Sequence, residues 1–169
     1  MGIGGAMNKL DQLILEMVHF DSGEPRLVQH LLKVHQFARL IGEMENLSPE
    51  TMEILEAAAI VHDIGIKVSK EKYGTSNGKL QEQEGPPFAE ELLHKLGFRE
   101  ELIKRVSYLV AHHHTYTNID GMDYQILVEA DFLVNIYEHE MDKENIRSVY
   151  DKIFKTESGK QLCRQMFLM

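Results

Sequence analysis

The chain has 169 residues, a length suited to one domain that buries roughly 70% of the surface its unfolded chain exposes, so a full core needs no staples. Its one cysteine, Cys163, excludes an internal disulfide and fits a reducing compartment. A net charge of −9 argues against an extended nucleic-acid footprint, which needs many Lys and Arg on phosphates, while leaving room for a small phosphorylated ligand. No apolar stretch approaches the roughly 18 residues of a membrane span, and the start lacks a basic region followed by an apolar core, so a soluble, cytoplasmic protein is expected.

The opening "MGIGGAM", residues 1–7, has too little side chain to pack and is expected to be mobile. From residue 8 to 169 the apolar spacing is helical, without strand-like alternation. A first helix carries Leu10, Leu13, Ile14 and Met17 on one face. A second starts with Pro25 in its first turn and continues through Leu27, Leu31, Val34, Ala38 and Ile41. Ser48 and Pro49 open a third, with Leu55, Ala58 and Ala59 inward and Gly65 as its stop. The stretch "KVSKEKYGTSNGKLQ" reads as a long polar loop of the kind that carries function. A helix follows Pro87 with Phe88, Leu92 and Leu96, and another runs from about Glu100 to His114. After "TNIDG" come a helix from about Tyr124 to Glu140, one through Ile146, Val149, Tyr150 and Ile153, and a short segment around Leu162 and Met166. The expected fold is a compact, single-domain, all-α bundle.

Ionisable residues on inward faces carry the functional reading. At about 100° per residue, His30 falls between Leu27, Leu31 and Val34, whereas His35 points about 140° away and reads as a surface histidine. His62 continues the stripe of Leu55, Ala58 and Ala59, and Asp63 follows where that helix ends. Asp131 stands four residues after Leu127 and three before Val134, again inward. Burying a polar group without a partner costs roughly 2–7 kcal/mol, and a charge more, so these four need a common explanation. One such histidine alone is usually a hydrogen-bonded core group. Two imidazoles and two carboxylates from three helices instead suit Mn²⁺, Fe²⁺, Co²⁺, Ni²⁺ or Zn²⁺, with Mg²⁺ also a candidate.

The ordered set His30, His62-Asp63 and Asp131, with its contexts "HLLKVHQFA", "AAAIVHDIG" and "EADFLVN", resembles the HD-domain metal-dependent phosphohydrolases over about residues 24–140. The resemblance implies a helical bundle around a metal. Its implied activity is hydrolysis of a phosphate ester or anhydride of a nucleotide or other small phosphorylated metabolite, by water that the ion acidifies to a pKa of about 7. His30, His62, Asp63 and Asp131 then hold the ion, and Asp63 or Asp131 also orients the attacking water. His113 and His114 are candidates for a second ion or the substrate phosphate, by their place in "AHHHTYTNIDG".

Two features depart from the dinuclear pattern. Gln81 stands where such members place a histidine, leaving Glu84 or Glu82 as carboxylate candidates, and "IDGMDY" replaces the Gly-Tyr-Pro signature of the cyclic-dinucleotide branch. For the phosphate, Lys67 and Arg26 are the candidate cations, and Tyr73, Tyr116 and Asn118 could meet a base or sugar. Two other readings stand beside this one: a non-catalytic metal or nucleotide sensor on the same bundle, and a helical interaction module without metal. Periodicity says nothing of oligomeric state.

Overall fold

Residues 7–169 are described by a computed structural model. Residues 1–6 of the expected mobile segment lie outside the described residues, while Met7 is within them, its carbonyl accepting from Gln12 Nε2 at 2.7 Å. All regular structure among the described residues is helical: α1 (Lys9–Phe20), α2 (Pro25–Met44), α3 (Pro49–Val61), α4 (Gly65–Tyr73), α5 (Gly78–Lys95), α6 (Glu100–His112), α7 (Met122–Glu138), α8 (Lys143–Ile153) and α9 (Glu157–Phe167). None of them is long and apolar enough to cross a membrane.

The core forms around α3 and α7. The run Ala57 to Val61 is fully buried on every side of its helix, as expected of a helix enclosed by others, and α7 is buried from Asp123 to Asp131 and again around Leu133, Val134 and Ile136. The two helices pack on each other and on α2, while α3 also meets α1 and α6. The chemistry-bearing faces of α2 and α7 and the end of α3 are thereby brought to one place.

Caps account for most helix starts. Ser48 accepts from the Thr51 amide, Asp142 from Asn145 and Thr156 from Gly159, each satisfying an amide that the first turn leaves free.

Two sequence expectations need correction here. Gly65 does not stop α3: three residues of turn separate the helices, and Gly65 opens α4. Its missing side chain serves close packing, since a Cβ there would lie 2.7 Å from Gln81 O and 3.0 Å from Gly85 N of α5. The stop lies at Gly74, whose φ of 72° is the left-handed conformation glycine adopts freely. The expected loop from Lys67 to Gln81 is therefore helical except for residues 74–77. Likewise α5 begins at Gly78, capped by Asn77 on the Leu80 amide at 2.9 Å, and continues through Pro86 and Pro87 rather than starting after them. Each proline removes one helical hydrogen bond, and packing between α4 and α6 outweighs that local loss.

Candidate metal centre

His30 arrives from the inward face of α2, His62 and Asp63 from the turn that ends α3, and Asp131 from the middle of α7. His30 Nε2 lies 3.1 Å from Asp63 Oδ2 and 3.1 Å from Asp131 Oδ1. His62 Nε2 lies 3.2 Å and 3.4 Å from the same two oxygens, and the two Nε2 atoms are 3.3 Å apart. One donor atom from each of the four residues lies within 4.8 Å of the others, which is a ready coordination set. The other Asp63 oxygen, Oδ1, faces His113 Nε2 at 3.3 Å, and Asp63, His113 and His114 form a second such group sharing Asp63.

Three of the rings are held the same way round. His62 Nδ1 lies 2.7 Å from Ala59 O, His113 Nδ1 lies 2.7 Å from Val110 O, and His30 Nδ1 lies 2.6 Å from Glu138 Oε1. Carbonyl and carboxylate oxygens only accept, so each Nδ1 carries a proton and each Nε2 faces inward as the atom that can hold either a second proton or an ion. Asp63 and His113 then meet acceptor to acceptor, and His113 Nε2 is buried without a hydrogen-bond partner. A cation satisfies that arrangement; a neutral core does not. Burial lowers the His30 pKa, but the Asp131 and Asp63 carboxylates outweigh it and raise the ring to about 10; His62 is raised in the same way, and burial notwithstanding, the imidazoles pull Asp63 and Asp131 well below the usual carboxylate range. Without a divalent ion, protons supply the positive charge the two aspartates require, and an ion would displace them.

A model of the HD domain matches residues 27–155, most of the chain and all of this donor set. The chain belongs to the HD-domain family. The crystal structure of a predicted HD superfamily hydrolase from an uncultured Thermotogales bacterium superposes with a TM-score of 0.65 at 22% identity, covering 95% of this chain and 84% of that one. At that identity the likeness speaks for the fold, which is the expected all-α HD bundle. No match is found among the curated proteins.

The HD domain opens its donor set to a cavity of about 460 Å³. Leu27 and Ile66 give it apolar walls, Ser76, Gln81 and His114 line one flank, and Asn135, Glu138 and His139 line another. Of the two cations expected at the phosphate, Arg26 lines this cavity and Lys67 does not: Lys67 Nζ donates to Phe20 O at 2.9 Å, and Lys70 lines the cavity instead. Lys70 follows Ile66 by one helical turn of α4, which brings both to the cavity wall. Glu84 accepts from Lys72 Nζ at 2.8 Å and from Tyr73 OH at 2.7 Å, and lies outside both donor groups. Glu82 instead accepts from the His114 amide and from Thr115 Oγ1, fixing the segment after α6. Gln81 meets His114, its Oε1 2.7 Å from the ring Nε2 while its amide nitrogen donates to Ser76 Oγ. Burial, and then the neighbouring His113, hold His114 down to about 4, so this ring is neutral.

His35 is half-buried against Glu56 at 3.0 Å, tying α2 to α3, rather than a free surface group. Tyr116 sits over His114 Nδ1 at 3.5 Å, and Asn118 takes a left-handed turn position. Asn135 and Glu138 were missed, although Asp131, Asn135 and Glu138 are spaced i, i+4, i+7 along one face of α7, which was the available signal.

Proposed function

We propose that this HD domain is a metal-dependent phosphohydrolase acting on a small phosphorylated substrate of the nucleotide class. Family membership supports metal-dependent hydrolysis as the type of activity. The observation that carries the reading is the meeting of four donor atoms from three helices beside the orphaned His113 nitrogen. His30, His62, Asp63 and Asp131 are the residues that would hold the ion, with His113 and His114 serving a second ion or the phosphate. A divalent ion held there supplies Lewis acidity toward a phosphoryl oxygen and toward water.

The chain's own residues do the rest. Asp131 turns one oxygen to the imidazoles and keeps a second able to accept from attacking water, whereas Asp63 turns its second oxygen to His113. Arg26 and Lys70 face the cavity and balance phosphate charge. Neutral His114 gives its Nε2–H to Gln81 Oε1, which leaves the Nδ1 lone pair to serve an ion or to accept from a protonated group. The cavity lies toward the lower end of the roughly 300–1,000 Å³ typical of small-ligand sites, which favours a mononucleotide-sized ligand over a polymer.

The test is elemental analysis of gently purified protein, followed by a panel of nucleotides and other phosphoesters with Mn²⁺, Co²⁺ and Mg²⁺. Metal-dependent phosphate release abolished by Asp63→Ala is the expected result. Tight ligand binding without product would favour a sensor instead, and a well-folded, ion-loaded protein inert on the whole panel overturns the enzyme reading.

A further inference from the structure

Of the three rings whose Nδ1 atoms are fixed, two rest on carbonyls of their own helix turn, Ala59 and Val110, which no side-chain substitution removes. His30 differs. Its partner is a carboxylate on another helix, 108 residues away in sequence, at 2.6 Å. The other Glu138 oxygen lies 2.7 Å from Lys33 Nζ, and Lys33 stands one turn beyond His30 on α2. Glu138 is about one-fifth exposed at the side chain and lines the cavity, so this contact sits on the solvent side of the donor set.

We infer that Glu138 is a positioning residue of the metal centre, setting the direction and donor strength of His30 from behind. The inference rests on the metal reading of the site. A carboxylate on Nδ1–H fixes the tautomer and pushes electron density toward Nε2, strengthening the ring as a ligand. A carbonyl does the first and less of the second. Lys33 keeps the carboxylate in place and, being bound to its far oxygen, holds Glu138 back from turning into the cavity as a ligand itself. Removal of such a partner weakens metal binding by about 10–100-fold.

The experiment compares Co²⁺ binding by the full chain and by Glu138→Ala, Glu138→Gln and Lys33→Met, by calorimetry and by the visible ligand-field bands of bound Co²⁺. Glu138→Ala is expected to lose about 10–100-fold in affinity with shifted bands. Glu138→Gln, which keeps an acceptor without the charge, restores the bands and part of the affinity; Lys33→Met loses the least. The circular dichroism spectrum reports folding of each variant. Glu138→Ala binding Co²⁺ within twofold of the parent with unchanged bands overturns the assignment alone, as does Glu138→Gln behaving no better than Glu138→Ala. A parent chain that takes up no Co²⁺ overturns the metal reading and this assignment with it.

Discussion

Two buried carboxylates stand two residues apart on α7, and they do opposite things. Glu129 is fully buried and accepts from Gln125 Nε2 at 2.6 Å, from the amides of Lys155 and Thr156 at 2.9 and 3.0 Å, and from Thr156 Oγ1 at 2.6 Å. It ties the junction of α8 and α9 to the core, and its position across the first turn of α9 adds a favourable dipole interaction. Asp131, about 200° away around the helix, faces two imidazoles whose protons are their only means of answering its charge. Burial of an acid therefore does not mark a site. The completeness of its hydrogen bonding does: Glu129 is satisfied by donors that belong to the fold, whereas the group around Asp131 and Asp63 leaves His113 Nε2 without a partner.

Substitutions at these acids separate the two roles. The largest effect is expected from Asp63→Ala, which removes an oxygen from both donor groups: phosphate release should fall by at least about 10³-fold, equivalent to about 4 kcal/mol in the barrier, while the chain stays folded. Steady-state kinetics beside urea denaturation checks it, and a variant with wild-type turnover removes the distinction drawn above. Gly159→Ala should act the other way round. Its Cβ would overlap Glu129 Oε1, so the anchor must shift and strand buried donors, at a cost of about 3 kcal/mol in urea denaturation with Co²⁺ affinity unchanged.

Asp21 is a third case, with neither donors enough nor cations enough. It is 3% exposed, and its Oδ1 has no partner. Burial, partly offset by Lys67 and reinforced by Asp63, raises its pKa to about 6 from 3.8. The folded state thus holds the proton more tightly, and stability is lost as pH rises from about 4 through 6. Asp21→Asn should gain about 1–2 kcal/mol at pH 7 and nothing near pH 4 in parallel denaturation curves. The last effect is a slope with pH. His30, raised to about 10 from 6.5, contributes stability that is complete below about pH 6.5 and drains away toward pH 10. Chelator-treated protein should melt lower across that window, added Co²⁺ should protect most at its alkaline end, and equal protection at pH 6 and 9 would contradict proton displacement.

The helical periods and the residues inside them were readable wherever local signals agreed. Ser48 and Pro49 opened α3, and Leu31, Val34, Ala38 and Ile41 proved buried along α2. Local signals misled where a residue had two uses. Gly65 looks like a stop in one dimension and is a close-packing position in three, and Pro86 and Pro87 look like a start while lying inside a helix. With α4 read as a loop, nothing in the spacing separates Lys70, on the cavity wall, from Lys67, and nothing local reveals the approach of Lys72 and Tyr73 to the candidate ligand Glu84.

From sequence alone came the helical class, the inward faces and the four donors on them, because side-chain direction along a helix follows from a fixed turn per residue. Only the tertiary structure decided which oxygen meets which nitrogen, that His30 leans on Glu138, and that Glu129 is an anchor while Asp131 is not. Those outcomes depend on partners 26 to 108 residues distant, and contacts at that range are set by how helices pack, not by any spacing along the chain.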